Sequence, residues 1–279
     1  MHTSLLFKTG LIFSLEIFLI YAAIYAYIIG CSRAARTNTS FFGLIFEEIH
    51  NAKGQLDLVP IDNEEGSENW KRISELYGGC FFFFVCAIGA LAISDSQGAP
   101  LVVGITLMTC VGLTLAPVLG LFLIEMDESY GLKVFSLALF STYACFCIGI
   151  FSGIDFNFLV PFIGIAMLIL IFYNLTALVV TGLFLGPTGV FSRTTRKNMS
   201  LFGIATFLAI MVYESNLITK LAKQGENNDW RSAFEFALEL YLAFLNLIFQ
   251  LLQYVDATGG GLISKQVATR QSPNRSVWR

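Results

Sequence analysis

Apolar residues in this chain are gathered into long runs separated by short polar stretches. About 20 consecutive apolar residues are needed for a helix to cross a bilayer. Seven runs reach or approach this length, at roughly residues 10–30, 77–94, 101–124, 134–152, 157–185, 199–218 and 233–255. The second is short, and the fifth is long enough to contain a bend or a partly re-entrant stretch. The pattern predicts an all-α fold, a polytopic membrane bundle of about seven transmembrane helices.

These runs divide the chain into four segments. Residues 1–30 predict an N-terminal transmembrane helix, because the run is longer than the apolar core of a typical signal peptide. Residues 31–76 predict a polar extramembrane loop, in which FFGLIFEEIH is expected to form a short amphipathic helix on the membrane surface. Residues 77–255 hold the remaining predicted spans, and residues 256–279 form a polar, basic tail.

Composition supports a membrane protein and argues against a nucleic-acid partner. Hydrophobic residues make up 56% of the chain and charged residues 13%, whereas about a quarter of the residues of a soluble domain are charged. The formal net charge of −3 provides no basic excess for binding nucleic acid. We therefore expect the lipid bilayer to be the main partner of the chain.

The distribution of Lys and Arg predicts a topology. Under seven spans, most of the 17 basic residues fall on the side of the C-terminus. The positive-inside rule then places the C-terminus, the 31–76 loop and the turn with Arg193, Arg196 and Lys197 in the cytosol or an equivalent compartment.

Recognisable catalytic and metal-binding patterns are missing from the sequence. It has two histidines and six cysteines, with no CxxC pair and no P-loop, GxGxxG, GxSxG or HExxH motif. We therefore expect that the protein is not an enzyme and holds no cofactor or resident metal ion.

A polar stripe runs along the last predicted helix. Five polar residues recur there at helical spacing and fall within roughly 60° of one another: Glu235, Glu239, Asn246, Gln250 and Gln253. Such a stripe cannot face lipid, so it either lines a polar cavity or ion path, or forms a buried seam that joins helices. Ala243 interrupts it on the same face.

Glu214 stands with Ser215 and Asn216 near the end of the sixth run. One interpretation has its carboxylate reach the membrane interface beside Lys220. In the other, the carboxylate faces the last helix, where burial would make it a proton or cation switch. Spacing alone does not decide between them.

Two residues of the first and third runs have predicted structural roles. Glu16 is the single acid of LIFSLEIFLIYAAIYAYIIG, and it either snorkels towards the membrane edge or docks against a polar group of the bundle or of a neighbouring subunit. Pro117 is expected to kink its helix.

The order of segments from about 77 to 255 resembles the Bax inhibitor-1 (transmembrane Bax inhibitor motif) family. The most specific features are a tyrosine-acid-polar-polar motif, here YESN, and a following helix with the pattern acid-Leu-aromatic-Leu-acid-Phe-x-Asn/Thr, here ELYLAFLN with Ala243 at the second acid. Within the family, the N-terminal helix and the Ala-Thr-Gly-Gly sequence from Ala257 to Gly260 are most similar to the mitochondrial growth-hormone-inducible branch. The family's second core helix has no counterpart here.

This resemblance implies a pH-sensitive calcium leak or calcium/proton exchange, cell-death suppression and, in the mitochondrial branch, a role in membrane organisation. The family's pH sensor is a pair of acids, which match Glu214 and Ala243 in this sequence. Glu239, one turn before Ala243, could substitute, with Asn246 and Asn174 as further lining of the ion path. The only ligand expected is a transported calcium ion.

Because Ala243 replaces one acid, the chain has an alternative interpretation. It would be a transport-inactive accessory subunit that binds other membrane subunits through its N-terminal helix and the 31–76 loop. The resemblance favours the mitochondrial inner membrane, with another intracellular membrane, of the endoplasmic reticulum or Golgi, as the alternative.

Overall fold

A computed structural model describes residues 4–50, 56–60, 68–96, 100–125, 128–180, 192–224 and 228–260. The helices are α1 (Leu5–Thr37), α2 (Glu68–Ser96), α3 (Leu101–Glu125), α4 (Glu128–Phe151), α5 (Val160–Val180), α6 (Arg193–Gln224) and α7 (Trp230–Val255). The strands are β1 (Ser40–Phe41), β2 (Leu44–His50) and β3 (Leu56–Pro60). A 3-10 turn precedes α5 and a π turn follows α7. The prediction of an all-α helical bundle is confirmed.

Six of the helices in the described ranges are long and apolar enough to cross a membrane: α1, α3, α4, α5, α6 and α7. Helix α2 contributes only the shorter apolar stretch Gly78–Leu91, at the place of the short second run. The end of the predicted fifth span beyond Val180, with its possible bend, lies outside the described residues. So does the basic tail from residue 261 onwards.

Local sequence signals explain where several helices begin and end. The Ser4 side chain accepts a hydrogen bond from the Phe7 N–H and caps α1, which ends at Asn38 in the left-handed conformation (φ 50°). Asp229 caps α7 by accepting the Ser232 N–H at 3.0 Å. These polar residues stand immediately outside the apolar runs, where the first N–H groups and last carbonyls of a helix need partners.

The chain divides into two compact units, residues 1–131 with 228–238 and residues 132–227 with 239–279. In the first unit, α1 and α2 both pack against α3. The contact of α1 with α3 is close at Gly120, where an added Cβ would lie 2.5 Å from Cδ1 of Tyr27. A glycine at this position therefore lets the Tyr27 ring lie directly on the α3 backbone.

The amphipathic helix predicted for FFGLIFEEIH is wrong, because this segment forms strands of a three-stranded antiparallel sheet with the order β1-β2-β3. Phe42 and Gly43 connect β1 to β2 and both have positive φ, 51° and 77°, as in the two-residue hairpin turn that favours tight strand pairing. Leu44 and Phe46 are buried while Glu47 is exposed. This alternation has the period of a strand rather than that of a helix.

The sheet has a small apolar core of its own at one end of α1 and α3. Leu44 and Phe46 pack with Tyr27, Cys31 and Leu121. Within segment 31–76, the described residues contain the end of α1, the three strands and the start of α2.

In the second unit, two glycines let α6 approach its neighbours closely. A Cβ on Gly149 of α4 would lie 2.6 Å from the Val212 carbonyl oxygen and from the Ser215 Cβ of α6. A Cβ on Gly203 of α6 would lie 2.6 Å from the Gln250 side chain of α7. Small residues at helix crossings are typical of membrane bundles, in which close packing and polar contacts drive helix association.

Pro117 is buried within α3, which continues from Leu101 to Glu125. The kink expected at this residue stays a prediction.

Candidate functional site

Glu214 of α6 and Glu239 of α7 lie together in the second unit. The carboxyl group of Glu214 is within hydrogen-bonding reach of the Glu239 side chain. Its Oε2 atom is buried and has no N–H or O–H partner among the described residues. Of the two interpretations of Glu214, the one in which it faces the last helix agrees with the structure.

The register of α6 and α7 explains why these two acids meet. Glu214 is ten residues before the end of α6 at Gln224, and Glu239 is nine residues after the start of α7 at Trp230. Both are therefore about 14–15 Å from the connection between the helices. The contact between Gly203 and Gln250 follows the same register about three turns further on.

Direct contact between two carboxyl groups sets a chemical requirement. An ionised carboxylate has acceptor atoms only, so a hydrogen bond between two acids needs a proton on one of them. Without that proton, two negative charges face each other and repel. The pair can therefore hold a proton, or a cation in its place, between α6 and α7.

The neighbours of Glu214 in the YESN motif face a different helix. Asn216 is buried and donates to the carbonyl oxygens of Gly149 (3.1 Å), near the end of α4, and of Ile154 (3.0 Å), just after it. Ser215 donates to the Met211 carbonyl within α6. The motif thus supplies one acid towards α7 and one amide that fastens α6 to α4.

Lys220 bonds to Asp155, in the connection between α4 and α5, and not to Glu214. Its Nζ lies 2.5 Å from Oδ1 of Asp155. This hydrogen bond, together with the one from the Asn157 N–H, holds the pKa of Asp155 below its ordinary value. Lys220 is thus engaged with a residue other than Glu214, which agrees with the interpretation in which Glu214 faces the last helix.

The remaining residues of the polar stripe are not one buried seam. Gln250 is buried against Gly203, whereas four members are exposed on the surface of the chain: Glu235, Glu239, Asn246 and Gln253. Glu235 pairs with Arg231 on the same helix at 3.6 Å, and Asn246 donates to the Leu242 carbonyl at 2.8 Å.

Two further positions, the one that matches the family's second acid and one predicted to line the ion path, do not meet the acid pair in the described contacts. Ala243 is buried in α7 and supplies no ligand atom from its side chain. Asn174 lies on an exposed face of α5. Of the four residues predicted to line an ion path, the structure brings Glu214 and Glu239 into contact. Their role in transport stays a prediction.

Glu16 belongs to the first unit and is enclosed by the bundle, with 1% of its surface exposed. The Thr109 hydroxyl of α3 lies 2.9 Å from Glu16 Oε1. Snorkelling towards the membrane edge is therefore wrong, and docking against a polar group of the bundle is the arrangement observed. The apolar face of α1 on which Glu16 lies packs along α3, so the acid is carried inwards with it.

Sequence reasoning missed a second polar contact of α1. Lys8 is buried and donates to the Asn228 carbonyl oxygen at 2.7 Å, and its Nζ lies 5.6 Å from the centre of the Trp230 ring. The partners are about 220 positions apart along the chain. The only local signal was one base in an apolar run, which also fits a residue at the interface.

A resident metal centre is not apparent in the part of the chain that the structure describes. It contains no group of three or more His, Cys, Asp or Glu side chains that could hold a metal ion. Calcium takes six to eight oxygen ligands, at roughly 2.3–2.6 Å. Glu214 and Glu239 together offer at most four, so a cation between them would need other ligands such as water.

The long apolar helices and the acid pair between two of them define a polytopic helical membrane protein. The family described as "Inhibitor of apoptosis-promoting Bax1" matches residues 68–260. The chain therefore belongs to this family, the Bax inhibitor-1 family, as its motifs predicted. The match begins at α2 and ends after α7, so α1 and the sheet lie outside it. A comparison with curated proteins finds no match.

Proposed function

We propose that this protein is a pH-sensitive pathway for protons and calcium ions, controlled by the contact between Glu214 and Glu239. The observation that carries the proposal is a half-buried carboxyl group that has a second carboxyl group as its neighbour and an unpartnered buried oxygen. The same two helices carry the acid pair that the family resemblance implies.

Protonation gives the pair two states. With a proton between the carboxyl groups, α6 and α7 are joined by a hydrogen bond. Without it, two unit charges about 4 Å apart repel by about 4 kcal/mol at an effective dielectric constant near 20. Such an energy is large enough to separate the helices locally or to draw a cation between them. Glu239 is exposed on the surface of the chain, which supports proton exchange between the acid pair and its surroundings.

Ala243 changes the position of the pair without removing it. The second acid comes from one helical turn earlier, about 6 Å along the axis. Glutamate is one methylene longer than the aspartate expected from the family, and this length helps Glu214 to span the offset. We infer that the site has moved along α7 by one turn.

Flux through vesicles tests the proposal. Purified protein is reconstituted in liposomes that contain a calcium-sensitive or pH-sensitive dye, and flux is followed over a range of external pH. Glu214→Gln and Glu239→Gln should each remove the pH dependence. Glu235→Gln is the matched control, because Glu235 is exposed one turn earlier on α7 and pairs with Arg231. Flux equal to that of protein-free liposomes would exclude the proposal.

A second candidate function, a subunit of a larger membrane complex, is favoured by a different observation. Asn246 and Gln253 are exposed on α7, within a helix that is apolar enough to cross a membrane. Lipid tails cannot pair with these amides, whereas a helix of another subunit can. In a native gel after mild detergent extraction, this function predicts migration with a much larger assembly that is lost on Asn246→Leu with Gln253→Leu. Migration as a monomer would count against it.

We also propose the mitochondrial inner membrane as the location. The support is the similarity of the N-terminal helix and of Ala257 to Gly260 to the mitochondrial branch of the family. Fractionation of cells that express the full chain with a C-terminal tag tests this. Recovery with endoplasmic reticulum or Golgi markers would show that the location is a different one.

A further inference from the structure

Glu16 is a second buried acid, and it lies outside the segment that defines the family. Its two oxygens differ in environment. Oε1 has the Thr109 hydroxyl 2.9 Å away, and Oε2 is buried with no hydrogen-bond partner among the described residues. The Thr109 hydroxyl is also 3.0 Å from the Ile105 carbonyl oxygen, so its single proton is shared between two acceptors.

No neighbouring base compensates this acid in the described contacts. Helix α3 has no Asp, Glu, Lys, Arg or His between Leu101 and Ile124, and its Cys110 thiol follows Thr109. On α1 itself, Lys8 is eight residues away, about 12 Å along the axis, and it binds Asn228. At the start of α7, Arg231 and Glu235 are exposed and pair with each other.

This environment suits a neutral carboxylic acid better than a carboxylate. An ionised carboxylate without a partner is costly inside a bilayer. The Thr109 hydroxyl does little to stabilise it, because its proton is shared with the Ile105 carbonyl oxygen. A proton on the unpartnered oxygen removes the charge. A metal ion would need more oxygen ligands than the two carboxyl oxygens and one hydroxyl that meet here.

We infer that Glu16 and Thr109 form a proton-binding site inside the membrane, separate from the Glu214–Glu239 pair, which fastens α1 to α3 only while the proton is bound. Release of the proton leaves a negative charge between two apolar helix faces. The packing of α1 against α3 then weakens. The packing of α1 would thereby respond to pH independently of the Glu214–Glu239 pair.

Infrared difference spectra of the reconstituted full-length protein, recorded between acidic and alkaline pH, test the site. The wild type should show the carbonyl band of a protonated carboxyl group that disappears at alkaline pH. Glu16→Gln should lose one component of this absorption, and Glu214→Gln should keep that component, which separates this inference from the proposed transport function. In Thr109→Val the band should be present but shifted, because one hydrogen bond to the carboxyl group is lost.

The rate of Cys31 alkylation measures how often α1 separates from its neighbours and exposes this thiol. Cys31 is fully buried on α1, against Leu44, Phe46 and Leu121. A membrane-permeant maleimide should modify Cys31 faster in the wild type than in Glu16→Gln as pH rises, read from the Cys31 peptide by mass spectrometry. Because thiol ionisation is common to both proteins, the ratio of their rates reports the opening of α1.

Either of two results would overturn the inference. One is a protonated-carboxyl band that is unchanged in Glu16→Gln. The other is a ratio of Cys31 alkylation rates that does not vary with pH. If Glu16→Gln does not fold, an unshifted band in Thr109→Val has the same consequence, because Thr109 would then not contact the protonated group.

Discussion

The close approach of α4 and α6 at Gly149 makes a sharp prediction about Gly149→Ala. The added Cβ would lie 2.6 Å from Cβ of Ser215, 2.6 Å from the Val212 carbonyl oxygen and 2.9 Å from the Asn216 N atom. Two of these three atoms belong to the α6 backbone, so no side-chain rotation relieves the contact. Helix α6 itself must shift.

The magnitude follows from two opposing terms. Overpacking in a tightly packed interior costs about 1–3 kcal/mol. Replacing glycine by alanine in a helix gains up to about 1 kcal/mol. We therefore expect Gly149→Ala to lower the free energy of unfolding by about 1–2 kcal/mol, which changes the ratio of folded to unfolded protein by about 5–30-fold.

Gly164→Ala is the matched control. Gly164 lies in α5 of the same unit, and a Cβ built there meets nothing within 4 Å. Only the gain in helix propensity applies, so this variant should be as stable as the wild type or slightly more stable. Both variants are compared by reversible unfolding in mixed detergent micelles, with the folded fraction followed as the denaturing detergent is increased.

Equal stability of the two variants would refute the packing argument. It would mean that α4 and α6 do not approach at Gly149 as closely as the structure indicates. A further consequence concerns the acid pair, because Ser215 and Asn216 are adjacent to Glu214. Gly149→Ala should also alter the pH dependence of flux, and Gly164→Ala should leave it unchanged.

Three further predictions concern the polar contacts around the ends of α6 and α7. Asn216→Leu leaves the carbonyl oxygens of Gly149 and Ile154 without their amide donor and should cost about 1–3 kcal/mol in unfolding experiments; no change would show that Asn216 does not hold the end of α4. Asp229→Ala removes the acceptor for the Ser232 N–H and should destabilise the protein by about 0.5–2 kcal/mol, whereas Asp229→Asn should restore most of the loss. Lys220→Met should flatten the acidic end of the stability profile, because the lowered pKa of Asp155 contributes stability that is present above its unfolded pKa of about 3.9 and is lost as pH falls through the folded pKa. An identical profile in Lys220→Met would contradict the ion pair.

The helices were predictable because the length of an apolar run is itself the physical requirement for crossing a bilayer. The sheet was not. Its turn depends on Phe42, a bulky residue with positive φ, and such residues rarely adopt that conformation. Without a recognised turn, the apolar positions of FFGLIFEEIH fitted a helix on the membrane surface as well as a strand.

The candidate site was predictable in its components but not in its pairing. Residue types and spacing identified Glu214 and Glu239, and the family motif pointed to α6 and α7. Which residue of α7 faces Glu214 depends on the register of two helices, and a difference of one turn separates Glu239 from Ala243. Spacing within a single helix contains no information about that register.

The same limit applies to Glu16. Its partner Thr109 is 93 positions away in the sequence, and an isolated acid in an apolar run is compatible with either the membrane edge or the bundle interior. Packing of α1 along α3 decides between them, and it depends on side chains spread over both helices.

A double-mutant cycle on Glu214 and Glu239 tests the central claim most directly. The pH dependence of flux is measured in liposomes for the wild type, Glu214→Gln, Glu239→Gln and the double variant. If the two carboxyl groups share one proton, each single variant should remove the pH dependence and the double variant should add nothing further. Independent effects that simply add, or a full pH dependence in either single variant, would contradict it.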